Sequence, residues 1–330
     1  MSFIRKIIEQ AISDRKTIVL PEGNDTRVIE AASILLKNNV ANVVIIGDEA
    51  EIKSISQGFD ISGATIVCPE KSDKFEKYVN AFYELRKNKG VTLDQARETM
   101  KNYNYWGAMM VKMGEADGMV SGAAHSTADT LRPALQIVKT APNTKLVSGF
   151  FVMVVPDCDF GSNGTFVFAD CGLNPNPDAD QLSEIAIASA DSFKMLTNIE
   201  PNVAMLSFST YGSGKDATVD KVIDATKIAK KKAPDLRIDG ELQVDAAIVP
   251  EIALRKAPGS EVAGCANVLI FPDLNCGNIA YKLVQRLAKA EAYGPLTQGL
   301  ARPINDLSRG CSADDIVGVV ALTVVQAQNI

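Results

Sequence analysis

Residues 17–47 read TIVLPEGNDTRVIEAASILLKNNVANVVIIG, and this run decides the fold class. Thr17–Leu20 is a short β-branched strand and PEGND a turn. Asn24–Lys37 is helical by composition, and Asn42–Gly47 is a continuous apolar strand. Strands without polar alternation are covered on both faces, and short strands separated by helices form parallel sheets. An amphipathic helix precedes Thr17. Downstream, Ala64–Cys68 is a further strand, Lys71–Lys89 and Leu93–Glu115 are helical stretches, and Gly118–Gly122 runs into a glycine-bearing loop. Ser126 followed at three by Asp129 has the form of a helix-capping box.

The second half repeats the pattern. A boundary is expected at Ala141-Pro142-Asn143, before the strand LVSGFFVMVV. Gly164–Asp170 is the next strand, and its short connection permits an antiparallel pair. Helices at Ala179–Leu196, Asp216–Lys232 and Gly277–Ala290 alternate with the strand segment VAMLSFST and the strand Asn267–Phe271. Pro295–Ile330 is too small to be a domain, so its last helix, from Ser312, packs back on the first. The expected architecture is α/β with two lobes: residues 1–144 plus 296–330, and residues 145–295 inserted between them. The alternative is one extended sheet.

The 330 residues carry 34 Lys and Arg against 40 Asp and Glu, a net charge of −6. That balance disfavours a nucleic-acid coat but allows a small anion held by a local arginine cluster. The single histidine, His125, excludes an HExxH zinc site. Cys68, Cys158, Cys171, Cys265, Cys276 and Cys311 contain no CxxC and read as free thiols in a reducing compartment. The first residues lack the apolar core of a signal peptide, and Leu146–Pro156 and Ile316–Val325 are too short to span a bilayer. A cytoplasmic location and no membrane partner are expected.

The sharpest segment is RPINDLSRGCSADDI, Arg302–Ile316. Gly310 permits a tight turn beside Ser308 and Arg309, and Ser312 with Asp315 again has capping spacing. Asp315 is either a capping carboxylate or the proton acceptor of a site in which Ser308, Arg309 and the first helical turn meet an anion. Arg27 is either a surface arginine or an anion-facing group at the carboxyl end of a parallel strand. His125 is equally consistent with a hydrogen-bonded structural role. Arg132 adjoins Pro133, which predicts a helix kink. SFSTYGSGK fails as a Walker A, with Ser209 where glycine is needed and Asp216 where a hydroxyl is needed. Its Ser207, Ser209, Thr210, Gly212 and Ser213 remain candidates for holding an anion through backbone N–H groups. No GxGxxG occurs. The basic run Lys227, Lys230, Lys231 and Lys232 reads as a solvated helix end.

Together PEGNDTRVIEAA, MVSGAAHSTADTLRPALQIVKT, DCGLNPNPDADQLSEIA, LSFSTYGSGK and RPINDLSRGCSADDIV resemble the phosphate acetyl/butyryltransferase family over essentially the whole chain. The whole pattern is closer to the acetyl than to the butyryl branch. The resemblance implies two α/β lobes with an interdomain active-site cleft, like the isocitrate/isopropylmalate dehydrogenase fold, and a homodimer. It implies acetyl phosphate plus coenzyme A giving acetyl-CoA plus inorganic phosphate, with coenzyme A as substrate and no resident cofactor. On the matching positions, Asp315 resembles the base, Ser308 and Arg309 the catalytic pair, and Arg132, Arg86 and Arg27 the substrate- and coenzyme A-binding arginines. Arg86 lies in ELRKNKG, which on pattern alone is a solvated helix end.

The implied chemistry poses a proton problem. An ordinary thiol and an ordinary aspartate differ by about 4.6 pKa units, roughly 6 kcal/mol uphill for full transfer. Transfer concerted with attack avoids a free thiolate, and arginine and backbone donors stabilise charge on the carbonyl oxygen and departing phosphate. Three rivals are a phosphate butyryltransferase, a metal- and NAD(P)-dependent hydroxy-acid decarboxylating dehydrogenase, and a noncatalytic regulatory or scaffold protein. The motif segments hold no coherent metal triad, and the full Arg27/Arg132/Ser308/Arg309/Asp315 set argues against lost chemistry.

Overall fold

The computed structural model describes residues 2–142 and 144–330; Asn143, part of the expected boundary, lies outside the described residues. The described chain separates into two compact units. Unit 1 holds residues up to 142 together with Leu300–Ile330, and unit 2 holds Thr144–Gly299.

Unit 1 runs α1 (Phe3–Ser13), β1 (Thr17–Leu20), α2 (Thr26–Lys37), β2 (Asn42–Ile46), α3 (Glu49–Ile55), β3 (Thr65–Val67), α4 (Phe75–Arg86), α5 (Leu93–Thr99), α6 (Tyr103–Lys112), β4 (Gly118–Ser121) and α7 (Thr127–Pro133). Unit 2 follows with β5 (Ser148–Val154), β6 (Thr165–Ala169), α8 (Ala179–Thr197), β7 (Val203–Leu206), α9 (Ala217–Lys232), β8 (Ile238–Leu242), α10 (Val244–Ile248), α11 (Pro250–Lys256), β9 (Val268–Ile270), α12 (Leu274–Leu287) and β10 (Glu291–Gln298). The chain then returns to unit 1 through β11 (Ile304–Asp306) and α13 (Ala313–Gln328).

The unit 1 sheet has the order β11-β4-β1-β2-β3, and every pair is parallel. β1 and β2 are the apolar strands of residues 17–47, buried as their lack of alternation requires. α13 is apolar all round, and Ile316 through Ala327 are buried. A helix of that kind belongs inside a core. It packs on α1, α2, β1 and β4. Its register is fixed by Asn305 of β11, whose amide donates to Thr323 Oγ1 at 2.8 Å and Gln326 Oε1 at 2.6 Å. The long helical stretch expected at Leu93–Glu115 divides into α5 and α6, because Asn102 caps a new helix by accepting from the N–H groups of Asn104 and Tyr105. Trp106, buried in α6, stacks with Phe75 and lies tilted against Tyr78.

The unit 2 sheet has the order β10-β5-β6-β9-β7-β8. β5 is antiparallel to both neighbours, and the remaining pairs are parallel. Phe151, Phe166, Phe168 and Phe271 form part of its core. Beneath β10, the Gln298 amide donates to Ser148 and Ser189 and its carbonyl accepts from Ser192, a closed buried network. Among the described residues no helix is long and apolar enough to cross a membrane.

Candidate active site

In unit 1 the chain passes outward from β1 to β2 and β3, then returns to β4 on the other side of β1. Open parallel sheets bind ligands beyond the carboxyl ends of strands at such a switch point. Three loops leave those ends: 21–25 after β1, 122–126 after β4 and 307–312 after β11. The last two approach closely at Gly122, whose φ is +116°. A Cβ there would lie 2.4 Å from Asp306 Oδ1 and 2.6 Å from Leu307 N, so only glycine fits.

Glu22 is 1 % exposed. Its Oε2 accepts from Gly122 N at 3.0 Å and Ala123 N at 2.9 Å, and its Oε1 accepts from Ala124 N at 2.9 Å and His125 N at 3.0 Å. His125 Nδ1 lies 2.7 Å from the same Oε1. The nest of amides after β4 therefore surrounds a carboxylate of the chain itself, and the histidine has the hydrogen-bonded structural role. Nδ1 is the protonated nitrogen that such a contact requires.

Arg27 occupies the space between the three loops. Its Nε and Nη2 donate to the two oxygens of Asp25, at 3.0 and 2.7 Å. Nη2 also donates to Ala123 O at 2.8 Å. Nη1 donates to Arg309 O at 2.8 Å and Cys311 O at 3.0 Å. A guanidinium has five N–H donors, and all five are used inside the protein. The hydrogen bond from Arg27 holds the Asp25 carboxyl below its usual range.

Ser308, Arg309 and Asp315 are exposed on the rim of the β11 loop. The capping spacing of Ser312 and Asp315 is realised in both directions. Asp315 Oδ2 accepts from Ser312 N at 2.8 Å and Ser312 Oγ at 2.9 Å, while Asp315 N donates to Ser312 Oγ at 3.1 Å. Cys311 is buried behind the rim, and burial pushes its thiol up to about 11. Asp306, at the end of β11, accepts from Thr127 Oγ1 at 2.6 Å. Burial pushes its carboxyl up to about 6 against the opposing pull of the Thr127 and Thr130 hydroxyls.

Arg86 ends α4 and Arg132 lies in the last turn of α7. The kink expected at Pro133 is present as a π-helical turn, Ala134–Val138, directly after α7. Arg86 Nε is buried and unpartnered among the described residues. Burial raises the pKa of Tyr105, and the charges of Arg132 and Arg86 both pull it back. The charges of both arginines therefore reach one phenol, whose hydroxyl donates to Gln136 Oε1 at 3.2 Å. Nothing in the local pattern of ELRKNKG reveals this, because Tyr105 comes from a different helix.

The candidate anion loop of unit 2 has most of its N–H groups engaged within the chain. The N–H groups of Ser209 and Gly214 donate to the hydroxyls of Ser207 and Ser209, and that of Thr210 donates to Ser213 Oγ. Tyr211 N donates to Glu241 O, and Ser213 N to Thr210 O. Gly212 N and Ser209 Oγ both donate to Glu241 Oε1, at 2.7 and 2.9 Å. Ser209 and Gly212 thus close on a buried carboxylate, while Ser207, Thr210 and Ser213 bond within the loop and to Leu242 O. Glu241, Glu22 and Asp306 were missed because charged residues in or beside short strands do not read as buried.

Beyond the parallel strands of unit 1 the β11 loop presents an exposed serine, an exposed arginine and a capped carboxylate. The family model described as phosphate acetyl/butaryl transferase matches residues 2–324. A phosphate acetyltransferase of Acetivibrio thermocellus is 68% identical over 330 residues, covering 100% of this chain and 99% of that one. A phosphotransacetylase structure from Streptococcus pyogenes overlays with a TM-score of 0.94 at 48% identity, covering 100% of both chains. The EutD phosphotransacetylase from Staphylococcus aureus overlays at 0.90 and 45% identity, covering 98% of both. The chain belongs to the phosphate acetyl/butaryl transferase family. Its fold is that of the phosphotransacetylases, which corrects the expected isocitrate/isopropylmalate dehydrogenase-like assignment. A dihydrodiol dehydrogenase from Burkholderia xenovorans, by contrast, overlays at 0.51 with 13% identity.

Proposed function

We propose that the rim of unit 1 carries direct acetyl transfer, with Asp315 as proton acceptor and Ser308, Arg309, Arg132 and Arg86 as the groups that meet the acyl phosphate and coenzyme A. The enzyme catalyses acetyl phosphate + CoA ⇌ acetyl-CoA + phosphate. The thiol sulfur attacks the acetyl carbon. The C–S bond forms as the bond from that carbon to the phosphoryl oxygen breaks. The thiol proton passes to Asp315 and finally to the released phosphate. Asp315 Oδ2 is held by Ser312, which leaves Oδ1 for the proton. Concerted transfer lowers the roughly 6 kcal/mol mismatch between an ordinary carboxylate and a thiol. Arg309 and the Ser308 hydroxyl meet the growing oxyanion, a role worth about 3–4 kcal/mol for a single donor.

The observation that carries this reading is that neither Arg86 nor Arg132 makes an ion pair with a carboxylate among the described residues, and that Arg86 Nε is buried without a partner. Uncompensated guanidinium charge is what a dianionic phosphate needs. The test is thioester absorbance on mixing protein, acetyl phosphate and coenzyme A, with butyryl phosphate and Asp315→Ala as controls. Fast acetyl transfer, weak butyryl transfer and loss in the variant are expected. Full activity of Asp315→Ala would remove it as base.

The same proposal includes a cytoplasmic homodimer. The six unbridged thiols support the reducing compartment. On α12, Ile279, Leu283 and Leu287 are 57%, 52% and 80% exposed at a spacing of four, an apolar stripe suited to a second copy. Sedimentation of Leu283→Glu tests it: a monomer is expected, and an unchanged mass would move the interface elsewhere.

A further inference from the structure

Two peptide groups in the site are each gripped at both ends. The peptide between Ala123 and Ala124 offers its N–H to Glu22 Oε1 at 2.9 Å and its carbonyl to Arg27 Nη2 at 2.8 Å. The peptide between Cys311 and Ser312 offers its carbonyl to Arg27 Nη1 at 3.0 Å and its N–H to Asp315 Oδ2 at 2.8 Å. A continuous chain therefore runs from a buried anion through a peptide to a cation, and through a second peptide to Asp315. Each peptide dipole points its N–H at a carboxylate and its oxygen at the guanidinium. Linked hydrogen bonds of this polarity reinforce one another.

We propose that Glu22 and Arg27 are positioning residues that act as one ionic bracket, setting the pose of Asp315 and of the Arg309 turn without touching substrate. This rests on Asp315 being the base, and it assigns Arg27 differently from the substrate-binding role implied by family resemblance. The donor count decides the matter: a guanidinium with all five N–H groups spent on Asp25, Ala123, Arg309 and Cys311 has none left for a phosphate. Glu22 has the matching arrangement, with both oxygens enclosed by four amides and His125. The bracket ties the carboxyl ends of β1, β4 and β11 together at the switch point. Lysine cannot replace Arg27, because a single ammonium cannot reach three carbonyls and Asp25 in one plane.

The test is steady-state kinetics on Arg27→Lys, Glu22→Gln and the double variant, with Trp106 fluorescence confirming that each is folded. Displacement of a catalytic group by about 1 Å costs on the order of a hundredfold. The expected result is a fall in kcat of about that size in each single variant, with KM for coenzyme A within about threefold. The double variant should fall little further than the worse single one, because both break the same chain. The loss should be equal with coenzyme A and with dephospho-coenzyme A, since a positioning residue is indifferent to which phosphate the substrate carries. A raised KM at near-normal kcat, a loss confined to one of the two thiols, or additive single effects would overturn the bracket. If Asp315→Asn keeps normal kcat, the reading of Asp315 as base fails instead. Loss in Asp315→Asn with KM effects in the other two sinks the bracket alone.

Discussion

Asp306 makes the stability of unit 1 depend on pH in a direction opposite to that of an ordinary ion-paired carboxylate. Its side chain is buried at the end of β11, and burial raises its pKa from 3.8 to about 6. The folded state therefore favours the protonated form. Its contribution is complete below the unfolded value near 3.8 and is lost as pH rises through about 6. The full swing is the difference between those two values at about 1.4 kcal/mol per unit, so about 3 kcal/mol. Asp306→Asn removes the titration and keeps the shape, with its carbonyl still able to accept from Thr127. Any constant cost of the amide is independent of pH. The assay is urea unfolding at pH values from about 4 to 8, followed by fluorescence of Trp106. It is the single tryptophan, and it is buried in unit 1. The variant should gain on the parent by about 3 kcal/mol across that range, most of it between about pH 4 and 6. A difference that stays flat with pH would show that the carboxyl titrates normally and that its burial is relieved in solution.

Other perturbations bear on the site and its surroundings. Ser312→Ala removes the capping hydroxyl of α13 and one of two donors to Asp315. It should cost about 1 kcal/mol in unfolding and lower kcat, and an unchanged kcat would separate the cap from catalysis. A disulfide-exchange titration at neutral pH should modify the exposed Cys265 and Cys276 first, leaving acetyl transfer intact. Cys171 and Cys311 should follow only on unfolding, because both are buried. Early loss of activity with the first thiol would contradict that order. Ser213→Ala should loosen the loop around Glu241 and leave KM for phosphate within about twofold. A large rise in that constant would restore the loop as an anion site.

The legible parts of the fold were those where local pattern and burial agree. Thr17–Leu20 is β1 residue for residue, and α9 begins one residue after the expected Asp216, its N-cap. The antiparallel pairing of β5 and β6 was anticipated from the connection. Three strands were not foreseen. β8 reads IDGEL and buries two carboxylates, β10 carries Gly294-Pro295 and a register shift, and β11 is only Ile-Asn-Asp. Each breaks the apolar or alternating pattern because its polar groups find partners supplied by distant segments. The same reason hides half of the candidate site. Ser308, Arg309 and Asp315 announce themselves in one dense segment. Glu22 acquires its role from amides a hundred residues away, and the spent donors of Arg27 are visible only when three loops are in place.

The discontinuity of unit 1 sets an order of events during synthesis. β4 ends at Ser121 and its outer partner β11 begins at Ile304, roughly 180 residues later. At ribosomal speeds of about 5–20 residues per second, that is a wait of about ten to forty seconds. Throughout it β4 presents an unpaired edge, and the cavity that α13 will fill is lined by apolar faces of α1, α2 and β1. An open edge beside uncovered apolar surface is the usual route to aggregation. The inserted unit is complete in sequence before its host, so it can fold first while the host waits on the ribosome. The proposed catalytic groups come late as well, because Ser308, Arg309 and Asp315 ride on the same closing segment that completes the sheet.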